Sequence, residues 1–195
     1  MKKFHSYLFF TTLVCLTACK GHEKKILVYA SSDIQVDESK QHITVSEGTT
    51  HHEQELDFNT GSPVTLDVQS PQGKTSVTAT DDGLYILNLK MDTVVGSYQH
   101  VGANSKNNVT LDEAKRALDS LQKLVLDQNV NDANRNYFIA PGKMVKITAE
   151  TKAQVFGPYT SIPGSFDAGS VPEIYKFYTI PEVREIIGRL QNATK

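Results

Sequence analysis

Much of the chain between residues 25 and 103 alternates apolar and polar positions with a period of two. Val64, Leu66 and Val68 alternate with Thr65, Asp67 and Gln69, the pattern of a strand with one face in a core and the other in water. This strand belongs to PVTLDVQ at 63–69, and comparable short runs are KILVYA at 25–30, HITVSE at 42–47, QELDF at 54–58, KTSVTAT at 74–80, LYILNLK at 84–90 and TVVGSYQHV at 93–101. Asn59-Thr60-Gly61, Ser70-Pro71-Gln72-Gly73 and Asp81-Asp82-Gly83 supply turn chemistry between them. Strands at this spacing predict an antiparallel β-sandwich-like region over 25–103.

The period changes after a polar linker at 104–109. Thr110 with Glu113 three residues on matches a capping box, and Leu111, Ala114, Leu118, Leu121 and Val125 recur at intervals of three and four. That stripe predicts a helix packed on a core. NYFIA at 136–140 and KMVKITAE at 143–150 read as strands around Pro141-Gly142, and KAQVFG at 152–157 as a third. A second capping box, Thr179 with Glu182, opens a last helix whose apolar face is Ile180, Val183, Ile186, Ile187 and Leu190, with Pro181 in the first turn where a missing N–H is harmless. Residues 110–195 therefore read as a small α+β region with two amphipathic helices, and the fold class as α+β.

Between these elements, residues 156–178 read as one long loop. It carries Phe156, Tyr159, Phe166, Tyr175, Phe177 and Tyr178, six of the chain's sixteen aromatics, and Pro158, Pro163 and Pro172 stiffen it. Such a loop either packs its rings against the body of the protein or offers them to a ligand. Phe156, Tyr159, Phe166 and Tyr175 are the candidate ligand-contacting residues.

The N-terminal stretch is short and asymmetric. Lys2 and Lys3 precede a brief apolar run from Leu8 to Leu16 that Thr11 and Thr12 interrupt. A membrane-crossing helix needs about 20 apolar residues, so this run matches the pattern of an export signal instead. Leu16-Thr17-Ala18-Cys19 resembles the lipobox of bacterial lipoproteins. The resemblance implies cleavage after residue 18, with Cys19 as the first mature residue carrying the lipid, a palmitate-type acyl anchor among its chains. At about 0.8 kcal/mol per buried CH₂, two or more chains hold a protein stably on a leaflet. Lys20 stands where some Gram-negative lipoproteins carry Asp to stay at the inner membrane, so the resemblance points to the outer membrane. Residues 19–24 would be a lipidated tether, with Lys20, Lys24 and Lys25 suited to anionic headgroups.

A second resemblance is local. Asp81-x-Gly83-x-Tyr85-x-Leu87 is similar to the run entering strand F of immunoglobulin-like domains, where the tyrosine hydroxyl caps the backbone at a corner. Leu87 stands where antibody domains carry cysteine, and the chain has no tryptophan for the usual core position. An immunoglobulin-like domain and another β-sandwich or barrel are both open on these residues.

Charge and chemistry exclude several classes. Without residues 1–18 the chain loses Lys2 and Lys3, leaving 18 basic against 22 acidic residues, a formal charge of −4. No basic stripe follows, so no nucleic-acid partner is expected. Cys15 lies in the segment to be removed and Cys19 is taken by lipid, so no disulfide, thiolate zinc site or cysteine nucleophile is expected. His52-Glu53-Gln54-Glu55-Leu56 begins like H-E-x-x-H but has Leu where the second zinc-binding histidine must stand. His51 and His52 would point to opposite faces of a strand, leaving only a cross-strand pairing of one of them with His42 as a metal reading. Ser120-x-x-Lys123 matches S-x-x-K without its companion motifs, and Asp81-Asp82 reads as a turn rather than a calcium site. No G-x-S-x-G, Walker A or G-x-G-x-x-G string occurs.

The expectation is an exported lipoprotein of the cell envelope, a binding, scaffolding or assembly module with no catalytic, cofactor or metal site. Its partners would be the membrane, through Cys19, and an envelope protein or glycan. The alternative is an envelope hydrolase whose catalytic residues are dispersed in sequence. Replacing Cys19→Ser is expected to abolish labelled-palmitate incorporation and release the protein from the membrane fraction; a variant that keeps both properties would refute the lipid anchor.

Overall fold

The computed structural model describes residues 21–99, 111–131, 133–157, 160, 162, 163 and 172–193. In chain order the strands are β1 (Lys24–Ala30), β2 (Ile34–Asp37), β3 (His42–Val45), β4 (His52–Phe58), β5 (Val64–Ser70), β6 (Gly73–Ala79), β7 (Gly83–Leu89), β8 (Val94–Tyr98), β9 (Asn136–Ile139), β10 (Lys143–Thr148), β11 (Gln154–Phe156) and β12 (Ile174–Thr179). Helix α1 (Leu111–Val125) precedes β9, helix α2 (Ile180–Ala193) follows β12, and a 3₁₀ turn at Glu38–Lys40 joins β2 to β3. The chain is thus mostly β, with two helices.

The strands form three four-stranded sheets. The central sheet has the order β10-β7-β1-β4, the second β2-β3-β5-β6 and the third β11-β12-β8-β9. Strands β1 and β7 carry near-continuous apolar runs because both of their faces are covered. Ile26, Val28, Tyr85, Leu87 and Leu89 face a core shared with Ile43, Val64, Leu66 and Val68 of the second sheet. Tyr29, Leu84 and Ile86 point the other way, into a core shared with Tyr137, Ile139, Tyr175 and Phe177 of the third sheet. Beyond the third sheet, Val95 meets Leu124 of α1 and Val183 of α2. The layers therefore run second sheet, central sheet, third sheet, helices.

Three expectations are corrected. The strands of 25–103 are not purely antiparallel: β1 pairs with β7 and β3 with β5 in parallel. Parallel neighbours need a crossover connection, and here the crossover is made by strands of the adjoining sheet, since successive segments alternate between layers. Nor do the sheets respect a boundary near residue 104. Strand β10 joins the central sheet through β7, and β12 pairs with β8 in the third. The linker itself, 104–109, lies outside the described residues. Finally, the segment read as one loop contains β12, whose Ile174, Tyr175 and Phe177 are fully buried. Strand β2, only four residues long with Ile34 and Val36 as its apolar positions, is too short to have shown a period.

Local chemistry matches the turn and cap readings where they can be seen. The Tyr85 hydroxyl donates to the Asp81 carbonyl at 2.8 Å and accepts from the Asp81 N–H at 3.2 Å, closing the corner before β7. At the start of α2, the Glu182 carboxylate accepts from the Thr179 N–H at 2.6 Å, one half of the capping box. Thr110, the expected cap of α1, lies outside the described residues.

Gly96 in β8 pairs directly with Phe177 in β12, and a Cβ there would run into the Phe177 ring. Overpacking of this kind costs about 1–3 kcal/mol. Gly96→Ala is expected to lower the unfolding free energy by that amount, seen as a lower urea midpoint at an unchanged m-value; an unaffected midpoint would show that the ring can move aside.

Candidate functional site

The central and third sheets part near the end of β1, leaving a cavity of about 690 Å³. Three features of the sequence place its walls. Period-two alternation turns Tyr29 toward the third sheet, while its neighbours Val28 and Ala30 face the second. Antiparallel pairing sets Glu53 of β4 opposite Tyr29. The turn after β7 brings Lys90, and β11, β12 and the start of α2 add Phe156, Phe177, Tyr178 and Glu182. Buried Asn88 anchors that turn: its amide nitrogen donates to the carbonyls of Asp92 (2.9 Å) and Ile139 (2.8 Å), and its oxygen accepts from the Lys90 N–H at 3.0 Å.

Tyr29 and Lys90 are the two buried polar residues in the lining. Tyr29 is 3% exposed, and its hydroxyl, which lies fully inside, has no hydrogen-bond partner among the described residues. Burial, reinforced by the charges of Glu53 and Glu182, pushes the phenol well above its ordinary range and keeps it protonated. Lys90 is 8% exposed, and among the described residues no carboxylate lies within 4 Å of its ammonium. Burial pulls Lys90 below its ordinary value, with Glu182, Glu53 and Asp92 holding back part of that fall. Toward the mouth the side chains become wetter: His51 Nε2–H donates to the Glu53 carboxylate at 2.6 Å, the two being 44% and 40% exposed, and the His51 ring stands edge-on to Tyr29 at 5.5 Å. A smaller hollow of about 450 Å³ shares Glu53, Val155 and Phe156 with the cavity and is lined beyond them by Lys25, Glu55 and Lys152.

The structure separates the residues singled out in the sequence. Phe156 is half-buried and lines the cavity. Tyr175 does not: its ring is fully buried between Tyr98 (5.6 Å) and Tyr137 (5.9 Å), and its hydroxyl bonds Arg135 and Glu173. Arg135 also lies over the Tyr98 ring at 3.9 Å and pairs with Glu173 at 2.6 Å, tying the start of β9 to β12. Tyr159, Phe166 and the lipobox with Cys19 lie outside the described residues.

The weaker motifs resolve into local pairs. His51 and His52 do diverge, His52 meeting Asp33 at 3.2 Å. Lys123 pairs with Asp119 at 2.7 Å along α1. Asp82 binds His22 at 2.8 Å and the buried Lys24 at 3.3 Å. Among the described residues no three His, Cys, Asp or Glu side chains gather as a metal site would need.

Sequence reasoning missed Tyr29, Lys90 and Glu182 as parts of one site. A signal existed for Lys90: it ends LYILNLK, a run apolar enough to be covered on both faces, where a lysine without a partner is out of place. No protein-family model, curated protein or solved structure matches the chain.

Both buried groups should cost stability. Removing a buried hydroxyl that lacks a partner relieves about 1–3 kcal/mol, so Tyr29→Phe is expected to raise the melting temperature; a lower one would mean that the hydroxyl is bonded. For Lys90, the folded value lies below the ordinary 10.5, so the unfolded chain holds this proton more tightly, and the burden of the buried cation is full below the folded value and gone above 10.5. Lys90→Met is therefore expected to stabilise the protein at neutral pH, with the gain over the parent shrinking as pH rises toward 10.5. A pH-independent difference in urea midpoints would contradict the assignment.

Proposed function

We propose that the protein is a lipid-anchored component of the cell envelope that binds a small polar ligand, or the end of a larger one, in the cavity between its central and third sheets. The observation that carries the binding reading is the cavity itself, about 690 Å³ between two sheets, with Tyr29, Phe156, Phe177 and Tyr178 in its walls and Glu53, Lys90 and Glu182 as its charged groups. The cavity also falls within the range of about 300–1,000 Å³ typical of ligand pockets, with aromatic walls and few polar groups.

The anchor rests on the Leu16-Thr17-Ala18-Cys19 resemblance, and Lys20 supports delivery to the outer membrane. In the same reading, the second and central sheets make a β-sandwich-like unit with the Asp81–Tyr85 corner as its immunoglobulin-like feature, and the helical side of the molecule carries the rest of the α+β region. Binding is favoured over hydrolysis because no serine or cysteine is among the described residues lining the cavity, and His51 is engaged with Glu53.

Native mass spectrometry of the full protein in detergent against a library of small polar molecules tests this. At least one adduct is expected, and Phe156→Ala, which removes a wall of the cavity, should weaken it. Product masses in place of adducts would favour the hydrolase; an adduct indifferent to Phe156 would move the site elsewhere.

A further inference from the structure

We infer that the protein stands on its lipid leaflet by one end of the central sheet, the end made by the turns at 59–62, 81–83 and 149–152, and so carries the cavity at the opposite end, away from the membrane. The inference rests on the lipid anchor proposed for Cys19. Little slack follows that residue. His22 Nδ1 lies 2.8 Å from an Asp82 carboxylate oxygen, and a Cβ on Gly61 would sit 2.9 Å from the His22 ring. The Glu23 carbonyl accepts from the Gly83 N–H at 3.0 Å, and its carboxylate accepts from the Thr151 hydroxyl. The buried Lys24 ammonium donates to the Thr60 carbonyl at 2.6 Å and to Asp82 at 3.3 Å. Residues 22–24 are thus fastened to all three turns, and only Lys20 and Gly21 separate them from Cys19. At no more than about 3.6 Å per residue, the lipid-bearing residue stays within about 11 Å of His22.

Strand register fixes what shares that end. Lys24 pairs with Phe58 of β4 and Gly83 of β7, and Leu84 pairs with Thr148 of β10, so all three turns lie beside the point where the chain enters the fold. At the other end of β1, Ala30 pairs with His52 and Leu89, which places the turn at 90–92 there, with Met91 exposed. Tyr29 is five residues along β1 from Lys24, about 16 Å at 3.3 Å per residue. The cavity, with Tyr29, His51, Glu53 and Lys90 in its lining, belongs to this far end.

Reach and charge disfavour the other postures. Strand β1 is an inner strand of the middle of three sheets, with covered faces on both sides, and packed sheets lie about 10 Å apart. To lie on either outer face, the body would need its anchor to pass around a whole layer and the side chains beyond it, farther than the short tether extends. Past β7 and β10 the distance is similar, at about 4.8 Å per strand. Toward β4 a single strand intervenes, but it carries Glu53, Glu55 and Asp57, whose side chains are 40%, 50% and 49% exposed, and anionic lipids repel them. The anchored end itself suits headgroups. Asn59, Ser62, Glu150 and Lys152 are exposed there, and among the described residues no exposed large apolar side chain belongs to these turns, so this end rests on the polar layer without entering the hydrocarbon.

Nitroxide quenching tests the posture. The lipidated protein, whose only cysteine after residue 18 carries the lipid, receives one new cysteine, Ser62→Cys at the near end or Met91→Cys at the far end. Each is labelled with bimane and reconstituted in phosphatidylcholine–phosphatidylglycerol vesicles that contain a headgroup-nitroxide lipid. Quenching is expected to be several-fold stronger at position 62 than at 91. Inserting about twelve Gly-Ser residues after Lys20, a coil spanning about 20 Å, should erase that difference while the protein still floats with the vesicles. Equal quenching at the two positions in floating protein would overturn the posture and leave the anchor standing. Stronger quenching at 62 that survives the insertion would overturn the short tether as its cause. Protein that does not float with vesicles would overturn the anchor and the posture together.

Discussion

The fold is organised around β1 and β7, the two inner strands of the central sheet, neither of which has a wet face. Residues on opposite sides of β1 and β7 go to different cores, Ile26 and Val28 with Tyr85 and Leu87 on one side, Tyr29 with Leu84 and Ile86 on the other. Burial on both faces requires two covering layers, and the connections follow from that requirement. The chain leaves β1 for the second sheet, returns for β4, leaves again, returns as β7, and then crosses to the third sheet. Parallel pairing of β1 with β7 is the outcome of those crossings rather than a preference of either strand. The same constraint draws β10 from the C-terminal half to the edge of β7, so the molecule is held together across the break in sequence character near residue 104.

The cavity arises where this constraint relaxes. Strand β4 is an edge of the central sheet, and the residues it presents beside Leu27 and Tyr29 are Glu55 and Glu53. Two carboxylates cannot close against the apolar face of the third sheet without large desolvation costs, so the layers part at that edge. Glu55 is answered by Lys25 at 2.8 Å, with Asp57 of the same strand 3.9 Å from that ammonium. Among the described residues Glu53 pairs with His51, and Lys90 and Tyr29 line the same cavity. Elsewhere buried polar groups are met: Lys24 donates to the Thr60 carbonyl at 2.6 Å, and Asn88 uses both ends of its amide. Among the described residues the Tyr29 hydroxyl is the exception, a fully buried side-chain atom with no partner.

Aromatic residues illustrate how one composition serves two ends. Tyr175 and Phe177 sit two apart on β12 and both turn into the core, yet Phe177 also reaches the cavity wall while Tyr175 is closed off by Tyr98, Tyr137 and Arg135. Among the described rings of this segment Tyr175 is given over to packing, while Phe156, Phe177 and Tyr178 each reach the cavity wall.

Local features were legible in the sequence because their causes are local. Period-two alternation marked β5, the Asp81–Tyr85 spacing marked a corner that the tyrosine hydroxyl closes, and Thr179 with Glu182 marked the start of α2. Tertiary structure alone decided what each strand pairs with, because hydrogen bonding between backbones is blind to side-chain order and the crossings depend on which faces must be covered. It alone turned YKFY from a loop reading into β12, whose aromatic residues are shaped into a strand by the β8 edge they complete. It alone gathered Tyr29, Glu53, Lys90 and Glu182, which lie up to 153 positions apart in the chain. A site of that kind leaves no motif, because its chemistry comes from distances through space that no local spacing encodes.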